Sequence, residues 1–196
     1  MWIYVKELPY PVDLHTSDPW LARMILRFCK SLDGPWAVTM RYLAQRSLMP
    51  IQEAKTLLTD LATETLSHGE MLCAAAYQMT CCLTQEQKEA FALHAQWEGF
   101  GGLHSPAQVI PFPEDDPLAC LYTDLATAQN TVRAYESLFL LNEEAEVRGL
   151  IAFLHQRALV HIKRLWEVLL LVRQKSEQDV DAKKNTEKDV PYTKDN

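Results

Sequence analysis

Between Ile51 and Cys82 the residues Ala54, Leu58, Leu61, Thr65, His68, Leu72, Ala75 and Met79 follow one another at alternating steps of four and three. A helix turns once in about 3.6 residues, so this series keeps a single face along the whole segment. A strand would need steps of two. The polar members, Thr65 and His68, fall in the middle of the series. A buried helical face that turns polar only at mid-length is the main constraint on what this chain can become.

Two later segments repeat the pattern. One opens near Asp116–Pro117 and runs through Leu121, Leu125, Ala128, Val132, Tyr135 and Phe139. The other spans about Glu143 to Gln174 through Ile151, Leu154, Ala158, His161, Leu165, Val168 and Val172. Upstream, "SDPWLARMILRFCKSL" begins a helix with Asp18 as N-cap and Pro19 in the first turn. Gly34 breaks the chain, Pro35 opens a helix to about Ser47, and Pro50 closes it. "TQEQKEAFALHAQWEG" predicts a shorter helix with a Thr84/Gln87 capping box.

Met1–Thr16 is extended and punctuated by proline, and Phe100–Pro117 is a long loop rich in glycine and proline. From Ser176 the sequence is polar, and by composition it cannot bury enough apolar surface to order itself. The expectation is an all-α protein. One domain over 1–175 forms a ferritin-like four-helix bundle with a long crossover and an extended N-terminal arm, and 176–196 is a disordered tail.

At 196 residues such a domain buries roughly two thirds of its unfolded surface, so neither metal nor disulfide is needed for folding. The net charge of −7 is spread without a basic stripe, which argues against nucleic acid as a partner. No apolar run approaches the roughly 18 residues of a membrane span. "MWIYVKELPYPVD" lacks the apolar core of a signal peptide, so the expectation is a cytoplasmic protein. Its five cysteines include no CxxC pair and are expected to be free, buried and inert, with vicinal Cys81–Cys82 the one redox candidate.

Bundles of this type hold two metal ions with a Glu from each of two helices and a Glu-x-x-His from each of the other two. Residues three apart share a face, and the carboxylates neutralise the ions. "TLSH" (Thr65–His68) and "ALVH" (Ala158–His161) place a histidine correctly, but each lacks its glutamate. Ala128 stands at mid-seam on the helix that opens near Asp116, and Pro35 and Trp36 begin the helix that runs to about Ser47.

The stretches "MWIYVKELPYPV", "DPWLA", "DGPWAVTMRYLAQR", "LLTDLATETLSHGEM", "DPLACLYTDLATAQ" and "FLHQRALVHIKRL" resemble the manganese catalases, especially the short versions associated with bacterial spore coats. The resemblance runs from Met1 to about Val172. It implies a dimanganese site that disproportionates hydrogen peroxide, a homo-oligomer, and possible spore-coat protein partners. Matched residue by residue, it leaves only His68 and His161 as ligands. Pro35, Thr65 and Ala128 stand at three glutamate-ligand positions. Ala158 replaces a glutamate given a proton-handling role.

Two neutral imidazoles cannot offset two manganese ions, and manganese prefers carboxylate oxygen. The reading is therefore a degenerate family member without the dimanganese cofactor, structural in role, with assembly into a spore coat as what the resemblance implies. Trp36 is expected to fill the vacated space. Two further readings stand beside it. One is a peroxide-handling or other redox protein with a mononuclear Zn or Cu site at His68, His161 and Glu64. The other is a binding module whose cavity accepts a small ligand. The plainest account of the histidines is a hydrogen-bonded core pair, with Glu64 as partner or Asp60 and Asp124 holding the ring nitrogens from behind. His155 is expected at the surface. Tyr42, Tyr77, Tyr135 and Trp166 are expected in the core or an interface.

Overall fold

A computed structural model describes residues 7–91 and 116–188. In chain order these form α1 (Pro19–Cys29), α2 (Pro35–Gln45), a 3-10 turn (Arg46–Leu48) and α3 (Gln52–Thr80). Helical residues 85–91 (α4), α5 (Pro117–Leu140) and α6 (Ala145–Lys188) follow. The fold is all-α, a ferritin-like four-helix bundle. The crossover loop expected over 100–117 falls almost wholly outside the described residues.

The helix starts follow from local chemistry. Asp18 accepts a hydrogen bond from the Leu21 amide and Asp116 one from the Leu118 amide, and in both helices a proline occupies the first turn. Thr84 and Gln87 exchange both bonds of a capping box, Thr84 N to Gln87 Oε1 at 2.9 Å and Gln87 N to Thr84 Oγ1 at 3.3 Å.

Helices α1 and α2 together fill one position of the bundle. Leu21 and Ile25 of α1 pack with Met71, Leu72 and Met79 in the C-terminal half of α3. Val38 and Tyr42 of α2 pack with Leu58 and Leu61 in its N-terminal half. The break between them is tight. A Cβ on Gly34 would collide with the backbone carbonyl of Phe28 and lie 2.7 Å from the Cys29 oxygen, so only glycine fits. The turn is tied to α5 by Thr131, whose hydroxyl donates to the Asp33 carbonyl at 3.0 Å.

Two apolar cores result, one toward each end of the bundle. Every seam residue of α3 and α6 named above is buried, as are those of α5 up to Tyr135, while Phe139 is partly buried. Thr65, His68 and His161 form a buried polar layer at mid-bundle.

The N-terminal arm, from Glu7 onward, lies against its own bundle. The Gln78 side chain accepts from the Leu14 amide and donates to the Val12 carbonyl, both at 2.9 Å. Tyr10 stacks on Phe153 of α6 with ring centroids 5.1 Å apart.

Two expectations need correction. The tail does not turn irregular at Ser176, because α6 continues to Lys188. A helix already nucleated adds residues cheaply, and the ion pairs Arg173–Glu177 and Lys175–Asp179 support the extension. The thiols are not uniformly buried either. Cys29 and Cys120 are, but Cys73 is half-buried and Cys81 and Cys82 are exposed where α3 ends. No helix among the described residues is long and apolar enough to cross a membrane.

Candidate functional site

The polar layer is built by α3 and α6. Thr65 and His68 come from the middle of α3, and Ala158 and His161 from α6. The two imidazoles are buried and nearly parallel, with ring centroids 5.4 Å apart and planes 11° apart. Both turn Nε2 toward one carboxylate. Glu64 Oε2 lies 3.2 Å from His161 Nε2, and Glu64 Oε1 lies 3.6 Å from His68 Nε2. These are close approaches without hydrogen-bond direction, and both Nε2 atoms remain buried and unpartnered.

Arg157, one turn before His161, donates its Nε to Glu64 Oε1. Burial alone would push the Glu64 carboxyl up, but the polar contacts with His161, His68 and Arg157 outweigh it and hold it well below the usual range. Burial is the main cause that pulls His68 below its ordinary value, so its neutral form is favoured, although Glu64 opposes this.

Beside the imidazoles lies a cavity of about 20 Å³. Its wall includes Pro35, Thr65, Ala128 and Ala158 together with His68 and His161. Four positions scattered over four helices thus meet around one small space, which has room for about one water. Asp33, Val38, Tyr42, Thr131 and Tyr135 complete the wall.

Trp36 does not fill this space. Its indole lies on the outer side of α3 over Gly69, where an added Cβ would meet the ring at 3.1 Å, and 37% of the residue is exposed. Pro35, Val38, Tyr42 and Gln45 are the inward face of α2, so the next-door Trp36 points away from it. Fully buried Tyr42 and Tyr135 wall the cavity instead.

Asp124 and Asp60 do not hold the imidazoles from behind. Asp124 is wholly buried and accepts from Arg41 Nε at 2.9 Å. The Gln45 amide nitrogen, turned toward the carboxylate, donates to its other oxygen at 2.6 Å. Burial pushes Asp124 up to about 6 despite Arg41. This pair locks α2 to α5. Asp60 reaches Arg164 at 3.2 Å on the exposed side, between α3 and α6.

His155 is half-buried, with its Nε2 3.4 Å from Glu136. Of the aromatic residues expected in the core or an interface, Tyr42 and Tyr135 are in the core, and Tyr77 and Trp166 are exposed on the chain's surface. Sequence reasoning missed Arg157 and Arg41. Both carry a spacing signal, since Arg157 is four residues before His161 and Arg41 is three after Val38.

The fold and this layer define a class: a ferritin-like bundle with a histidine-centred cavity at mid-length. Residues 1–105 match the family model described as manganese containing catalase. Protein CotJC of Bacillus subtilis (strain 168) is 30% identical over 186 residues, covering 91% of this chain and 98% of that protein. Two crystal structures of KatB, a manganese catalase from Anabaena, superpose with a TM-score of 0.74 at 21% identity, covering 86% of this chain and 80% of theirs. The chain belongs to the manganese containing catalase family.

Proposed function

We propose that this protein is a catalytically degenerate family member that acts as an oligomeric structural component of the spore-coat type. One observation carries the reading. Pro35, Thr65, Ala128 and Ala158, none of them a metal ligand in type, line the same cavity as the two histidines. A pair of divalent manganese ions brings four positive charges into a buried layer. Among the described residues, Glu64 is the one carboxylate grouped with both imidazoles, and a single carboxylate cannot offset four positive charges. Manganese favours carboxylate oxygen, and an uncompensated buried charge is strongly unfavourable. These residues do not fit the dimanganese group.

Surface composition supports assembly. Trp36, Met40 and Leu43 recur at helical spacing on the outer face of α2, and each is more than a third exposed. Leu159, Trp166 and Leu170 form a similar stripe on α6. Exposed apolar stripes of this kind mark interaction surfaces. The near-complete coverage of CotJC favours a related role.

The test has two arms. Protein produced with manganese supplied is expected to retain none after dialysis and to leave peroxide undecomposed. Light scattering is expected to give a mass above that of one chain, lowered by Met40→Asp with Leu43→Asp. Two manganese ions per chain with rapid peroxide loss would overturn the reading, as would a monomer.

A further inference from the structure

We propose that Glu64, His68 and His161 form a site for a single zinc ion, with its fourth coordination position on the adjoining cavity. The inference rests on the reading that the dimanganese group is lost, and it assigns a new chemistry to what remains.

The geometry points to a cation rather than a hydrogen-bonded histidine pair. The three donor atoms, two imidazole nitrogens and a carboxylate oxygen, lie within 4.8 Å of one another. A tetrahedral zinc with ligands at about 2.0–2.1 Å has donor–donor edges of about 3.3 Å. His161 Nε2 lies 3.2 Å from Glu64 Oε2, close to that edge, and His68 Nε2 lies 3.6 Å from Oε1 of the same carboxylate. The contacts nevertheless lack hydrogen-bond direction, and two buried Nε2 atoms stay unpartnered. A lone buried polar atom left so is costly, and two aimed at one carboxylate are doubly so. An ion between them would satisfy all three lone pairs at once.

The surroundings fit the same reading. Arg157 anchors Glu64 by Oε1, which leaves Oε2 facing His161. Ligating carboxylates are commonly held in this way from behind. The cavity of about 20 Å³ has room for about one water at the open position. Two imidazoles and one carboxylate with an open position suit zinc better than manganese.

The full-length chain, stripped with chelator, would be dialysed against zinc sulfate or manganese chloride and its metal content measured. The expected result is about one zinc per chain and a rise in the unfolding temperature on binding. His68→Gln and His161→Gln should each weaken zinc binding at least about tenfold, and Arg157→Ala by about 10–100-fold. Asp60→Asn, on α3 but facing Arg164, should bind as the parent does. Circular dichroism on each variant separates lost binding from lost fold. Absence of zinc, or zinc retained by a folded His68→Gln/His161→Gln double variant, would overturn the inference and leave the structural role standing. Two manganese ions per chain would overturn both.

Discussion

His68 of α3 and His161 of α6 face each other with ring planes 11° apart, and both aim Nε2 at Glu64. Both rings are buried, and burial favours the neutral form of His68 beside an ionised Glu64. That arrangement makes the centre of the bundle sensitive to acid.

The metal-free protein should therefore lose stability as pH falls. His68 has a folded pKa below its unfolded value of about 6.5. Its contribution is fully present above that value and is lost as pH drops through the folded one. Glu64 acts in the same direction below about 4.5, because its folded value is also depressed. Asp124 has the opposite sign. Its folded value of about 6 exceeds the unfolded one, so its contribution is full below about 4 and fades as pH rises through 6. Urea midpoints measured from pH 4 to 8 should fall less on acidification in His68→Gln than in the parent. They should fall more steeply in Asp124→Asn. Equal slopes in all three proteins would contradict this assignment.

The Arg41–Asp124 pair yields a prediction about packing. Arg41→Met leaves Asp124 buried without its cation, which should cost about 3–5 kcal/mol. A double variant, Arg41→Met with Asp124→Leu, removes both charges and should recover most of that loss. Chemical denaturation of the two single variants and the double variant closes the cycle. A double variant no more stable than Arg41→Met would show that the pair does more than neutralise itself.

Much of this architecture is legible in the sequence because periodicity is a local property. The four-three spacing through His68 and His161 places both inside, and so places Thr65 and Ala158 beside them. The fates of Trp36 and Asp124 are set by other things. Trp36 adjoins the expected helix start, but its direction depends on which face of α2 turns inward, and Pro35, Val38, Tyr42 and Gln45 take that face. Asp124 lies on a seam-flanking position whose partner, Arg41, is far away in sequence, so only the assembled bundle reveals the pair. The α6 extension escapes a composition argument because that argument weighs apolar burial and omits helix propagation.

Two glycines should respond very differently to the same methyl group. Gly34→Ala drives a Cβ into backbone carbonyls that cannot move without opening the α1–α2 turn. A loss of about 3 kcal/mol is expected, at the upper end of overpacking costs. Gly69→Ala meets the Trp36 ring at 3.1 Å and Pro35 Cγ at 3.3 Å, and the partly exposed Trp36 ring can swing toward solvent. Its cost should stay under about 1 kcal/mol, with a red shift in tryptophan emission as the ring leaves α3. Similar losses in the two variants would mean that Trp36 is as firmly held as the backbone.

The C-terminal extension of α6 should contribute helix but little stability. From Arg173 to Asp181 the side chains are exposed or partly exposed. The extension is held by its own backbone and by exposed ion pairs, Arg173–Glu177 and Lys175–Asp179. Pairs of this kind contribute about 0.3–0.5 kcal/mol each. Removing residues 176–196 should therefore shift the unfolding free energy by less than about 1 kcal/mol while lowering the helical circular dichroism signal. Salt at about 1 M should weaken the same pairs, since the screening length then falls to about 3 Å, the length of the pairs themselves. A large loss of stability on truncation would show that the segment packs against something beyond its own helix, and a second copy of the chain would then be the first partner to examine by light scattering.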